Sequence, residues 1–407
     1  MIAHNPLFSS KFDVLWGVAA FLLAFNLLNT LAWAFGFYLH PVAYCVAASL
    51  ILLEWRKSNM WVLFATISVF VVITLGSSIA VWDARSIWFF HAKRIFFEAT
   101  LYAQLDKYPG WSHSDYPTLF PALAASVARA FGYWNETLPK LAVVLLLTPA
   151  LLFFASAFRT ASFNFLLAGV LIVCGSALLN GNVDAILALY CAAASVLLAK
   201  IYYKALDRVE NTPGWYLNAM FALFLANILL LKNEGLLAAL MLWVCWLPHL
   251  YSRPAKSAIS QLAILSLPFI FYFFVWKLPL INNQVTGDTF LPGMQARLFA
   301  TLSNADDLIE LTATFARICG FYIACLALIV AFSIRQKMAI RVIPIAVFIC
   351  GYWAALFVIY LMSPHGLTWI LATSADRTWM VPNLCVVALG IYALGSQRLE
   401  INHTKFA

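Results

Sequence analysis

The stretch MWVLFATISVFVVITLGSSIAVWDARSIWFFHAKRIFF, residues 60–97, decides the fold. Residues 60–81 carry no charge and are long enough to cross a bilayer core, which takes about 20 apolar residues. Immediately after them come Asp83, Arg85, His91, Lys93 and Arg94, interleaved with Trp and Phe. Acid, base and aromatic groups are gathered where the chain leaves an apolar run. Trp and Tyr favour that depth because one end of each ring is apolar and the other polar.

The rest of the chain repeats the first half of this pattern. Of 407 residues, 64% are hydrophobic and only 10% are charged. A soluble domain carries about 25% charged residues, so this chain cannot cover a water-exposed surface of its size. Apolar runs lie near 14–36, 40–54, 60–81, 138–158, 161–179, 183–203, 215–231, 235–251, 258–277, 312–334, 339–362 and 378–396. The expected fold class is an all-α polytopic membrane protein with about 12 transmembrane helices, or 13 if 117–133 spans, plus juxtamembrane helices in the first large outer loop. One Lys precedes the first run and no small-residue cleavage site follows it. Residues 14–36 therefore read as a retained span and not a removed signal.

Charge placement orients the chain. With 117–133 outside the membrane and the N-terminus cytoplasmic, Arg56, Lys57, Arg159, Lys200, Lys204, Arg208, Arg335, Lys337 and Arg341 all fall on the cytoplasmic side. If 117–133 spans, the basic runs at 200–208 and 335–341 move outside, so it reads as a juxtamembrane or re-entrant helix. The acids then gather outside, among them Asp83, Asp115, Asp184, Glu234 and Asp376. The chain reads as a single membrane domain over 1–407, with outer loops at 82–137 and 278–311, no soluble domain and both termini cytoplasmic. The net charge of +8 is scattered, so nucleic acid is not an expected partner. The eight cysteines lie in or beside apolar runs without CxxC spacing, so neither a disulfide framework nor a Cys metal site is expected.

Residues 84–100 have an apolar face at helical spacing, formed by Trp88, Ala92, Ile95, Phe96 and Ala99, with Arg85, Lys93 and Arg94 off it. Such a helix lies in the headgroup layer. Its cations can snorkel to lipid or meet phosphates. Asp83 can cap that helix or do chemistry. Asp115, before Tyr116-Pro117, is a good turn residue. Asp184 can cap the span after Gly181-Asn182, and Lys232 and Glu234 can pair at the boundary. Ionisable groups at membrane depth are costly, however, and carry a functional reading by default.

WDARSIW followed by HAK resembles the first outer loop of GT-C glycosyltransferases, polytopic enzymes that use sugars carried on polyprenyl phosphate. The nearest likeness is to the bacterial branch containing the lipid A aminoarabinose transferases, the protein O-mannosyltransferases and the Rgt-type lipopolysaccharide transferases. HSDYPTLFP (113–121), GNVDAILALY (181–190) and LLKNEGLL (230–237) resemble further segments of that family in the same order. The resemblance implies that Asp83 is the catalytic carboxylate. It implies substrate contacts for His91, Lys93, Asp115, Tyr116, Asp184, Lys232, Glu234 and a late cation at Arg377. The O-mannosyltransferases place Asp-Glu where this chain has Asp83-Ala84, and many relatives carry a C-terminal soluble domain not expected here.

The implied activity moves a sugar from a polyprenyl-phosphate donor to a glycan, lipid or protein acceptor at the periplasmic face of a bacterial inner membrane, with inversion. Membrane lipids are the remaining expected partners. The acceptor hydroxyl needs a base, for which Asp83 is the choice. The leaving phosphate needs fixed cations, and Arg377, Lys232 and Lys93 are the candidates in that order. No cofactor is expected and no metal-ligand spacing is present, although a divalent ion shared by Asp83 and Asp115 stays open. Two other readings stay open as well: a transporter or flippase of lipid-linked saccharide, and an O-antigen ligase or polymerase. The first would show inverted repeats and midplane charges. The second would show more outer arginines than Arg297 alone in 278–311.

Overall fold

Apolar runs of this length have one stable solution in lipid. Every backbone N–H and C=O must bond within the segment, which a helix achieves. The computed structural model, which describes residues 14–52, 58–206, 215–285, 293–363 and 366–404, is built from helices, with no strand among those residues. The chain is an all-α polytopic membrane protein. Among the described residues, ten helices are long and apolar enough to cross a bilayer: Val14–Ala34, Asn59–Gly76, Leu138–Ala157, Thr160–Leu178, Asp184–Tyr203, Asn233–Tyr251, Ala255–Asn282, Ala305–Arg335, Ala339–Leu361 and Leu367–Gly395. Each contains or overlaps a run read from the sequence. The other two expected spans are shorter helices, Val42–Leu52 and Trp215–Leu229.

Asp184–Tyr203 is the axis of the molecule. It is buried from Asp184 to Tyr202. The helices starting at Leu141, Trp215, Ala339 and Met380 pack around it. Ala305–Arg335 and Ala255–Asn282 lie at the periphery and keep most of their apolar side chains on the outside, where lipid replaces protein. Pro149, Pro268 and Pro344 sit inside helices, a position membrane helices tolerate because neighbouring groups take up the freed carbonyls.

Leu119–Ala130 has 12 residues. At about 1.5 Å per residue it reaches roughly 18 Å, well short of a hydrocarbon core of about 30 Å. Its residues from Leu119 to Ala128 are all buried. It packs against Val14–Ala34, Phe89–Glu98 and Leu141–Ala157. Trp33 Nε1 donates to Ser126 Oγ at 2.8 Å and Arg129 donates to the carbonyl of Phe96 at 2.6 Å. This segment is a protein-covered wedge between those three helices.

Two boundaries differ from the sequence reading. The helix expected from 312 begins at Ala305, because Asn304 caps it: its Oδ1 accepts from the Asp306 amide at 3.1 Å. Asp306 and Asp307 then sit in the first turn, where the helix dipole favours acids. The preceding span runs on through a π turn, Phe273–Lys277, to Asn282. The segment between these two helices is therefore shorter than 278–311. The last span is preceded by a further helix outside the apolar runs, Leu367–Thr378, which runs into Met380–Thr404 at Trp379.

Candidate functional site

Asp83 sits where the third hydrophobic segment ends. Its backbone is already helical and its side chain caps nothing. Residues Ala84–Trp88 form a π turn that continues as Phe89–Glu98. Such one-turn π insertions rotate the residues on either side relative to a regular helix and recur at functional sites. Ala84 is fully buried. A Cβ added to Gly181 would come within 3.0 Å of Ala84 Cβ and 2.9 Å of Phe89. This close approach joins WDARSIW to GNVD and leaves no room for a second acid at position 84. Gly181 also has φ +90°, a conformation that favours glycine.

The free carboxylate of Asp83 meets the other end of the chain. Arg377 Nη1 donates to Asp83 Oδ2 and lies 3.8 Å from Asp184 Oδ2. The guanidinium is held from behind, because Nε and Nη2 donate to the carbonyl of Thr373 at 3.2 and 3.0 Å. Its helix is held in turn by the Tyr360 hydroxyl, which bonds Ser374 Oγ at 3.0 Å and Thr378 Oγ1 at 2.7 Å, one on each side of Arg377. Asp184 Oδ1 accepts from Lys232 Nζ at 2.8 Å, and Lys232 also pairs with Glu234 Oε1 at 3.0 Å. The five residues Asp83, Arg377, Asp184, Lys232 and Glu234 thus form one continuous chain of alternating charge.

Exposure falls along that chain and rises again. The Asp83 and Arg377 side chains are 22% exposed, Lys232 7%, Asp184 4% and Glu234 24%. Burial opposes the charge on Lys232, but Asp184 and Glu234 outweigh it and hold its ammonium well above the ordinary lysine range. Lys232 therefore stays a cation. Among the described residues, Asp184 Oδ2 and Glu234 Oε2 make no hydrogen bond. Buried oxygens of this kind are costly unless something bonds them.

Asp115 and Tyr116 close the same cluster from the loop before Leu119–Ala130. Asn233 Nδ2 donates to Asp115 Oδ2 at 2.6 Å, and Trp276 Nε1 donates to the Asp115 carbonyl at 3.1 Å. The Leu119 amide donates to the carbonyl of Leu230 at 3.0 Å, which fastens HSDYPTLFP to LLKNEGLL. Tyr116 stacks on His113 at 4.8 Å, lies 6.0 Å from Lys232 Nζ and has the Trp88 ring at 5.5 Å. Burial, with Glu234 nearby, pushes its hydroxyl well above the ordinary tyrosine range. It can donate a hydrogen bond but does not ionise.

Two of the residues singled out from the sequence lie apart. Lys93 pairs with Glu136 at 3.3 Å on the surface, with both side chains about half exposed or more. Among the described residues it makes no ion pair with a member of the charge chain. His91 is 2% exposed and its Nε2 bonds the carbonyl of Ser112 at 2.8 Å. Burial pushes its pKa down to about 3, the Ser112 bond opposes this and His113 adds to it. A neutral imidazole must donate through Nε2–H to that carbonyl, so His91 pins the 110–116 loop to the interfacial helix. Asn233 and Lys277 were not singled out. Asn233 lies between two residues that were, and Lys277 closes a span, which is the signal that points to it. His365 lies outside the described residues. Among the described residues no group of three His, Cys, Asp or Glu side chains is placed to hold a metal ion. Asp83 is engaged by Arg377 and Asp115 by Asn233.

Comparison with protein-family models, with curated proteins and with solved structures returns no match, so the reading of this site rests on its own geometry.

Proposed function

We propose that this protein is an integral membrane glycosyltransferase that moves a sugar from a polyprenyl-phosphate donor to a cell-envelope acceptor. The observation that carries the reading is the Asp83–Arg377–Asp184–Lys232–Glu234 chain. It draws together stretches separated by up to 294 positions, and they are the stretches in which the sequence resembles the GT-C enzymes. A cluster of this kind is costly to bury for structure alone.

In the proposed reaction, Arg377 occupies Asp83 Oδ2 and Oδ1 takes the proton of the acceptor hydroxyl. The acceptor oxygen forms its bond to the anomeric carbon as the bond from that carbon to the phosphate oxygen breaks. The electron pair of the breaking bond leaves with the lipid phosphate, and the anomeric centre inverts. Positive charge developing on the sugar is stabilised by the surrounding carboxylates, and the leaving phosphate by fixed cations. We place the reaction at the outer face of a bacterial inner membrane.

The test is mass spectrometry of lipid-linked and surface glycans in a deletion strain carrying wild type or Asp83→Asn at matched membrane levels. A sugar lost in the deletion, restored by wild type and not by Asp83→Asn, supports the transferase. Full restoration by Asp83→Asn removes the base and favours transport of a lipid-linked saccharide.

A further inference from the structure

The two cations of the charge chain are already committed. Lys232 lies between Asp184 and Glu234, and Arg377 between Asp83 and Asp184. A third cation stands at the edge of the cluster. Lys277 is the last residue of the π turn Phe273–Lys277. Trp276, its neighbour, is fully buried and donates to the Asp115 carbonyl, which fixes the turn against the outer loop. Lys277 is in electrostatic reach of Asp115, yet among the described residues it forms no ion pair within 4 Å. Its Nζ lies 5.8 Å from the ring centroid of Tyr272. The Tyr272 residue is 4% exposed, and among the described residues its hydroxyl makes no hydrogen bond. A cation and an unbonded buried hydroxyl therefore lie together beside Asp115.

Exposed apolar side chains flank Lys277 along its helix. Ile270, Phe274 and Ile281 precede and follow it on the same helix and are 50%, 61% and 63% exposed. The helix Ala255–Asn282 has 28 residues, about 42 Å at 1.5 Å each, longer than a core of about 30 Å. Lys277, five residues from its end, sits near headgroup depth. A cation in the middle of an apolar stripe suits an amphiphile whose head is anionic and whose tail runs along the helix.

We propose that Lys277 and the Tyr272 hydroxyl form the subsite for the phosphate of a lipid-linked amphiphile, with its tail on the Ile270–Phe274–Ile281 stripe. This rests on the lipid-linked donor proposed above and assigns its phosphate to a residue outside the charge chain. Lys277 meets the phosphate oxygens by charge-assisted hydrogen bonds, and Tyr272 donates a further one.

The test is native mass spectrometry of wild type, Lys277→Gln, Lys277→Arg and Lys256→Gln, titrated with a long-chain polyprenyl phosphate, phosphatidylglycerol or inorganic phosphate. Lys256 is an exposed residue near the other end of the same helix. The expected result is that Lys277→Gln weakens polyprenyl phosphate about tenfold or more. Lys277→Arg keeps most of the affinity, Lys256→Gln is unchanged, and phosphatidylglycerol does not respond to any variant. Equal loss for phosphatidylglycerol makes Lys277 an ordinary headgroup contact and overturns the subsite. Loss confined to inorganic phosphate overturns the lipid. Normal polyprenyl phosphate binding by Lys277→Gln, with transfer still blocked in Asp83→Asn, removes Lys277 and leaves the transferase reading standing. Wild type that binds no polyprenyl phosphate removes both.

Discussion

Arg377 donates a hydrogen bond to Asp83 across 294 positions of sequence, and the same guanidinium nitrogen faces Asp184 at 3.8 Å. One arginine therefore ties the exit of the third hydrophobic segment to the buried central helix and to the last span. Arginine suits this place because its planar fork can bond its own helix carbonyl with two nitrogens while the third serves the carboxylates.

If Asp83 is the base, Asp83→Asn lowers transfer about 100-fold or more, the usual contribution of a positioned general base. Arg377→Lys also falls, because a point charge cannot hold the Thr373 carbonyl and both carboxylates at once. The check is transfer rate in membranes at matched protein levels. Asp83→Asn at wild-type rate would contradict the assignment.

The Asp184–Lys232 pair bears on stability. Lys232→Met leaves Asp184 buried beside only Arg377 and is expected to cost about 3–5 kcal/mol, the range for a buried pair broken on one side. The double variant Asp184→Asn, Lys232→Met should recover part of that loss, because the deeply buried Asp184 charge is gone while Glu234, 24% exposed, still lacks its partner. Unfolding of the purified protein in detergent reads both.

Gly235 and Gly320 make a paired test. A Cβ at Gly235 would lie 2.0 Å from the Ile228 carbonyl oxygen, so Gly235→Ala must move the turn that carries Lys232 and Glu234. It should destabilise by about 1–3 kcal/mol, as overpacking does. A Cβ at Gly320 meets nothing within 4 Å. Gly320→Ala, inside the Ala305–Arg335 helix, should be neutral or stabilising by up to about 1 kcal/mol. The thermal midpoint should fall for Gly235→Ala and hold or rise for Gly320→Ala.

His91 makes stability depend on pH. Its folded pKa is about 3 against an ordinary 6.5, so below 6.5 the unfolded chain binds a proton that the folded chain does not. The stabilisation is complete above 6.5 and is lost as the pH falls from 6.5 towards 3. Substituting Gln, which can still donate to the Ser112 carbonyl, should flatten this part of the stability profile. An unchanged slope in His91→Gln would show that another group carries it.

The helical architecture was legible because each long span repeats a local rule: a sustained uncharged run has no other way to satisfy its backbone in lipid. The ends of spans were less legible. Asn304, with Asp306 and Asp307 behind it, starts a helix seven residues before the apolar run does, because capping competes with hydropathy at that boundary. Leu367–Thr378 is not legible from hydropathy, because its mixed composition carries no sustained apolar run. Two short helices, Val42–Leu52 and Trp215–Leu229, are apolar enough to be read but fall short of a full crossing length.

For the site, residue types and their order along the chain were in the sequence: acids and cations at span ends, where their burial demands a partner. Which partner each one found was decided only by the tertiary structure. Lys93 and His91 stand beside Asp83 in sequence, yet one turns to Glu136 and the other to a loop carbonyl. Arg377 and Lys232, far away in the chain, take the places beside the acids. Hydropathy is additive along a segment and can be read locally. An ion pair depends on the mutual approach of two helices, and that approach is set by packing, such as Gly181 against Ala84 and Tyr360 against Thr378, which no single segment contains.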